Sequence, residues 1–157
     1  MTSVLAFLSN TPFDPETELA RFRRRFDSAG GIVAFTGQVR ADAGAATRLF
    51  LDHYPGFTER HIESICRDAA SRFNLDGVLV VHRVGEMGPA EPIVLAAAAA
   101  SHRRQAFEAV DFLMDYVKSE APIWKREFDG VHWRWIEPTA RDREEKARWS
   151  VGAPCRA

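Results

Sequence analysis

Six apolar residues at helical spacing most constrain the fold of this chain. Ile62, Ile65, Cys66, Ala69, Ala70 and Phe73 fall at i, i+3, i+4, i+7, i+8 and i+11, one continuous buried face. β-rich runs flank that helix. Leu49, Leu51 and His53 alternate with Phe50, Asp52 and Tyr54 before it, and Val78 to Val84 follows it. A second helix, expected from Ser101 to Lys118, buries Ala106, Val110, Leu113, Met114 and Val117. Pro122 cannot continue that helix, so the chain must turn there.

The remaining segments fill in around these. Val4 to Leu8 reads as a strand. Asp14 caps a helix that opens on Pro15 and carries Leu19, Phe22 and Phe26 on one face. Ile32 to Val39 reads as a strand, with Gly37 marking a bulge or a close approach to the backbone. Residues 42–46 read as a loop that joins this strand to Leu49–Tyr54 in a hairpin. Thr58 is the expected cap of the 62–73 helix. Gly85 to Glu91 reads as a turn. The five alanines of Ile93 to Ala100 suit helix or strand, but Pro92 and the β runs nearby favour a buried strand. Val131 to Ile136 is the last expected strand, and the charged tail from about 137 is expected to be partly loose. The order predicts one α+β domain over residues 1–157 with a largely antiparallel sheet.

Bulk properties exclude several classes. The net charge is −1, so nothing global calls for nucleic acid or an anionic membrane. Arg21, Arg23, Arg24 and Arg25 read as a solvated helix face rather than a nucleic-acid contact. Two cysteines, Cys66 and Cys155, form neither a disulfide framework nor a metal motif. The first eight residues lack the basic flank of a signal peptide, and Ile93–Ala100 is too short to span a bilayer. The expectation is a cytoplasmic protein without metal.

Candidate chemistry is therefore local. Ser101 is the expected N-cap of the second helix, and His102, Arg103 and Arg104 follow at once. Cations are unfavourable at the positive end of a helix dipole, so a bound anion would offset them. Three solvated side chains explain them equally well. Lys118 ends the helix, and Lys125 follows the proline break beside Trp124 and Arg126. A lysine does chemistry only where its surroundings favour the neutral amine. Arg40 ends the glycine-containing strand and suits bidentate anion contacts. His82-Arg83-Val84-Gly85-Glu86 ends a strand without metal-ligand spacing. No phosphate-binding loop, dinucleotide fingerprint or nucleophile elbow occurs.

Together these segments resemble one family, the large catalytic subunit of molybdopterin synthase. The resemblance rests on Gly31-Ile-Val-Ala-Phe-Thr-Gly-Gln-Val-Arg40, Leu51-Asp-His-Tyr-Pro-Gly-Phe-Thr-Glu59, His82–Glu86, Ser101-His102-Arg103, and Ala106 onward through Met114-Asp-Tyr-Val-Lys118 to Ala121-Pro-Ile-Trp-Lys-Arg-Glu127. It covers about Gly30 to Trp149. It implies an α/β-hammerhead-type fold with an additional antiparallel part. It also implies conversion of cyclic pyranopterin monophosphate into molybdopterin, with sulfur delivered as a thiocarboxylate on the C-terminus of a small ubiquitin-like subunit. The implied assembly is a heterotetramer around a central homodimer, and no cofactor takes part in the transfer itself. By the same resemblance Lys118 and Lys125 are catalytic. Gln38, Val39, Arg40, His102, Arg103, Arg126 and Glu127 contact substrate. The family commonly has Lys where this chain has Gln38, which removes a charge but keeps a hydrogen-bonding group. A non-catalytic dimeric module that binds the small subunit is the alternative reading.

Overall fold

The computed structural model describes residues 1–40 and 48–150. Two four-stranded sheets organise it. The first contains β1 (Ser3–Ser9), β2 (Gly31–Gln38), β4 (Gly77–Arg83) and β6 (Pro92–Ala100), in the order β1-β4-β6-β2. β1 and β4 are parallel, while β4–β6 and β6–β2 are antiparallel. The second contains β3 (Arg48–His53), β5 (Gly85–Met87), β7 (Ile123–Phe128) and β8 (Trp133–Ile136), all antiparallel in the order β5-β3-β7-β8. The helices are α1 (Pro15–Arg25), α2 (Phe57–Arg72), α3 (Arg103–Glu120) and α4 (Ala140–Ala147). This is an α+β fold with a separate antiparallel sheet.

The alanine run is a strand because it is covered on both faces. Val94, Ala96, Ala98 and Ala100 pack with Ile62, Cys66, Leu113 and Val117 of α2 and α3. Leu95, Ala97 and Ala99 pack with Phe22 of α1 and with Leu79 and Val81. A strand buried on both faces loses the usual apolar–polar alternation, and small side chains let helices approach closely. A third cluster, Val39, Leu49, Leu51 and Met87, lies under the second sheet with Ile93 and Ile123 against it.

Several expectations change. β2 and β3 do not form a hairpin: β2 pairs with β6, and β3 lies between β5 and β7 in the other sheet. The expected 42–46 loop lies outside the described residues, as does Cys155. Thr58 sits inside α2, whose N-cap is Gly56. It accepts a hydrogen bond from the Tyr54 amide at 3.0 Å and donates to the Pro122 carbonyl at 3.0 Å. It thus ties α2 to the break after α3. The N-cap of α3 is His102 rather than Ser101, with no side-chain cap. The chain packs closely there: a Cβ on Gly30 would meet the Ser101 carbonyl oxygen at 2.0 Å, so only glycine fits. The stretch from 123 to 128 is a strand, and the tail expected to be partly loose contains α4, its residues 151–157 lying outside the described ones.

Candidate active site

The β2 strand ends in an irregularity. Its pairing with β6 slips between Gly37 and Gln38. Gly37 suits the crowding there, since a Cβ would meet Val94 Cγ1 at 3.0 Å. Past the slip, Val39 is clamped by main-chain bonds: its amide donates to the Glu91 carbonyl at 2.9 Å, and its carbonyl accepts from the Ala90 amide at 2.8 Å. The 88–91 turn is braced in turn. The Glu91 carboxylate accepts from the Gly88 amide and lies 3.7 Å from the buried Arg83 guanidinium. Arg83 also donates to the carbonyls of Val84 and Glu86, at 3.3 and 3.0 Å. A guanidinium only 3% exposed is stable there because backbone oxygens and a carboxylate receive it. Arg83 and Glu91 therefore fix the course of Gln38–Arg40, a role the His82–Glu86 motif did not reveal by itself.

Sheet alternation decides which residues of β7 meet that strand end. Lys125 pairs in register with Leu51, and Lys125 and Glu127 share one face. They join Gln38, Val39, Arg40, Leu49 and Ile93 around a cleft of about 80 Å³. Lys125 Nζ lies 2.9 Å from Glu127 Oε1, so its ammonium is paired and aimed. Arg126 takes the opposite face. Its guanidinium lies 4.4 Å from the Phe50 ring centre, 4.9 Å from Trp135 and 5.7 Å from Trp133. It stacks among aromatics and does not enter the cleft.

The other expected site residues are not among those lining this cleft. Lys118 ends α3 and makes a 2.5 Å ion pair with Asp142 of α4. His102 and Arg103 are exposed at the far end of α3, close to the opposite end of β2, where a Cβ on Gly31 would meet Arg103 Cα at 3.3 Å. Gly31 and Gln38 are seven steps apart along the strand, about 23 Å at roughly 3.3 Å per residue. Within one chain, Gln38, Val39, Arg40, Lys125 and Glu127 come together, whereas His102 and Arg103 do not join them. Among the described residues no group of three His, Cys, Asp or Glu stands close enough to hold a metal ion. No described helix is long and apolar enough to cross a membrane.

A slipped strand end and a lysine–carboxylate pair thus line one cleft on an α+β scaffold. The family model described as MoaE protein matches residues 8–120. A molybdopterin synthase catalytic subunit from Caulobacter vibrioides is 48% identical over 150 residues, spanning 96% of this chain and 100% of that one. A solved MoaE protein from Burkholderia ambifaria superposes with a TM-score of 0.79 at 38% identity, covering 97% and 100% of the two chains. A Helicobacter pylori structure described as the complex of subunits 1 and 2 of molybdopterin-converting factor matches in fold, with a TM-score of 0.65, 19% identity and coverage of 89% and 91%. This chain belongs to the MoaE family, the catalytic subunits of molybdopterin synthase. It is a sulfur-transferring enzyme of molybdenum cofactor biosynthesis.

Proposed function

We propose that this chain converts cyclic pyranopterin monophosphate into molybdopterin in the cytoplasm, taking sulfur from the thiocarboxylated C-terminus of a small ubiquitin-like subunit. One observation carries the reading. Gln38, Val39 and Arg40 lie more than eighty positions from Lys125 and Glu127 in sequence, yet all five line one cleft. Arg40 and Lys125 attract the anionic tail or substrate, and Gln38 donates a neutral hydrogen bond where relatives of this type commonly carry lysine. Lys125 and Lys118 move protons and stabilise charge as the cyclic phosphate opens and sulfur adds to the ring carbons.

The cleft alone is small. Sites for drug-sized ligands run from about 300 Å³ upward, against about 80 Å³ here. A second copy of the chain supplies the missing part. β2 is an edge strand of its sheet, Phe35 is 44% exposed, and Phe107 beside it on α3 is 61% exposed. An isologous pair packed on this edge, with the two β2 strands antiparallel, sets the Gly31 end of one copy beside the Gln38 end of the other. His102 and Arg103 of the second copy then reach the cleft and hold the substrate phosphate, with the α3 N-terminus behind them. The small subunit occupies the outer ends of such a pair, giving a heterotetramer.

Lys125→Ala should abolish product formation in a reconstituted assay with thiocarboxylated small subunit and cyclic pyranopterin monophosphate, by a factor of about 100 or more. Turnover within about twofold of the unmodified chain would remove Lys125 from the reaction.

A further inference from the structure

We infer that Asp142, on α4, is a positioning residue that holds Lys118 for the reaction, so that the C-terminal helix is part of the catalytic apparatus. The inference rests on Lys118 acting in sulfur transfer. Lys118 projects from the last turn of α3 with its side chain 62% exposed, and a lysine so placed samples many rotamers. Here it does not: its Nζ meets Asp142 Oδ1 at 2.5 Å. The partner is a specialised one. Asp142 is only 7% exposed, and its carboxylate divides its two oxygens between two tasks. Oδ2 accepts from the Thr139 amide and from the Thr139 hydroxyl, both at 2.8 Å. The Asp142 amide returns a bond to the Thr139 hydroxyl at 3.2 Å, closing a capping box. Oδ1 is left for Lys118.

Burial alone would raise the Asp142 carboxyl, but the hydrogen bonds from Lys118 and Thr139 outweigh it and hold the group down to about 2. The carboxylate is thus charged wherever the enzyme works. α4 itself is anchored to the same helix at further points. Lys146 pairs with Glu120, and Arg148 reaches Asp111 and Asp115, each at 2.7 Å. The Trp149 indole donates to Asp115 Oδ2 at 2.6 Å. None of these other contacts touches Lys118. The arrangement reads as a rigid strap whose first turn presents one oxygen to one lysine.

Asp142→Asn separates the two tasks. An asparagine keeps an acceptor oxygen for Thr139 and puts an amide nitrogen where Oδ1 faced Lys118. Steady-state kinetics of the reconstituted heterotetramer with Asp142→Asn, Asp142→Glu and Lys118→Ala, alongside melting temperatures, test this. The expected result is kcat lowered about tenfold in Asp142→Asn with KM within about twofold, an unchanged melting temperature, and recovery to within about threefold in Asp142→Glu. Normal kcat in Asp142→Asn while Lys118→Ala is inactive overturns the inference. So does a loss that follows a lowered melting temperature and is equally deep in Asp142→Glu, because that is a purely structural role. Normal turnover in Lys118→Ala overturns instead the assignment of Lys118 on which the inference rests.

Discussion

Two buried side chains at the end of β4 show how local chemistry is set. His82 is 8% exposed, and its Nδ1 lies 2.8 Å from the Arg83 carbonyl. Burial pushes the imidazole below its ordinary 6.5, and the bond to that carbonyl only partly opposes this. The folded protein therefore holds His82 neutral, whereas the unfolded chain takes up a proton as pH falls through 6.5. Stability should thus fall as pH drops below about 6.5. Melting curves at pH 7.5 and 5.5 should differ more for the unmodified chain than for His82→Gln; equal differences would remove His82 as the cause. Its neighbour Arg83, equally buried, donates through its terminal nitrogens to the carbonyls of Val84 and Glu86 and lies 3.7 Å from the Glu91 carboxylate. That bracing carries through Glu91 to Val39, which lines the cleft.

At the scale of elements, the C-terminal helix is held by charge rather than by an apolar stripe. Asp115 is 9% exposed and accepts from Arg148 Nε and a terminal guanidinium nitrogen of the same residue, at 3.1 and 2.7 Å, and from Trp149. Removing that acceptor strands the indole N–H, while the half-exposed Arg148 keeps Asp111, so the cost is about 1–2 kcal/mol. Asp115→Ala should lower the stability measured by urea unfolding by that amount, while a change below about 0.5 kcal/mol would show that α4 docks by other means. The same feature explains what was legible in the sequence. α1, α2 and α3 could be read because each buries a periodic apolar face. α4 has none, and only its capping signal, Thr139 three residues before Asp142, marked a helix start. β7 was hidden by Lys125-Arg126-Glu127, three charges in a row. It is a strand because one face pairs Lys125 with Glu127 and the other stacks Arg126 on Phe50 and Trp135. β5 is three residues long, too short to show a pattern.

For the whole molecule, family resemblance offers a set of candidate site residues, but not their distribution in space. His102 and Arg103 stand at one end of α3, and Lys118 in its last turn, about 23 Å away at 1.5 Å per residue over the fifteen residues from Arg103. No spacing rule on a single sequence separates residues that meet within one chain from residues that meet across a pair. In the proposed pair, the cleft of Arg40 and Lys125 is one half of a site and the α3 N-terminus of a second copy is the other half. Mixing two inactive variants tests this most directly. Lys125→Ala and Arg103→Ala chains, unfolded together and refolded with the small subunit, give mixed pairs in which one of the two sites is intact. The account predicts that turnover returns to roughly a quarter of the unmodified level, since half the pairs are mixed and half their sites are whole. Two variants that are each inactive and remain inactive after mixing, with mixed pairs verified by mass spectrometry, would contradict a site shared between copies.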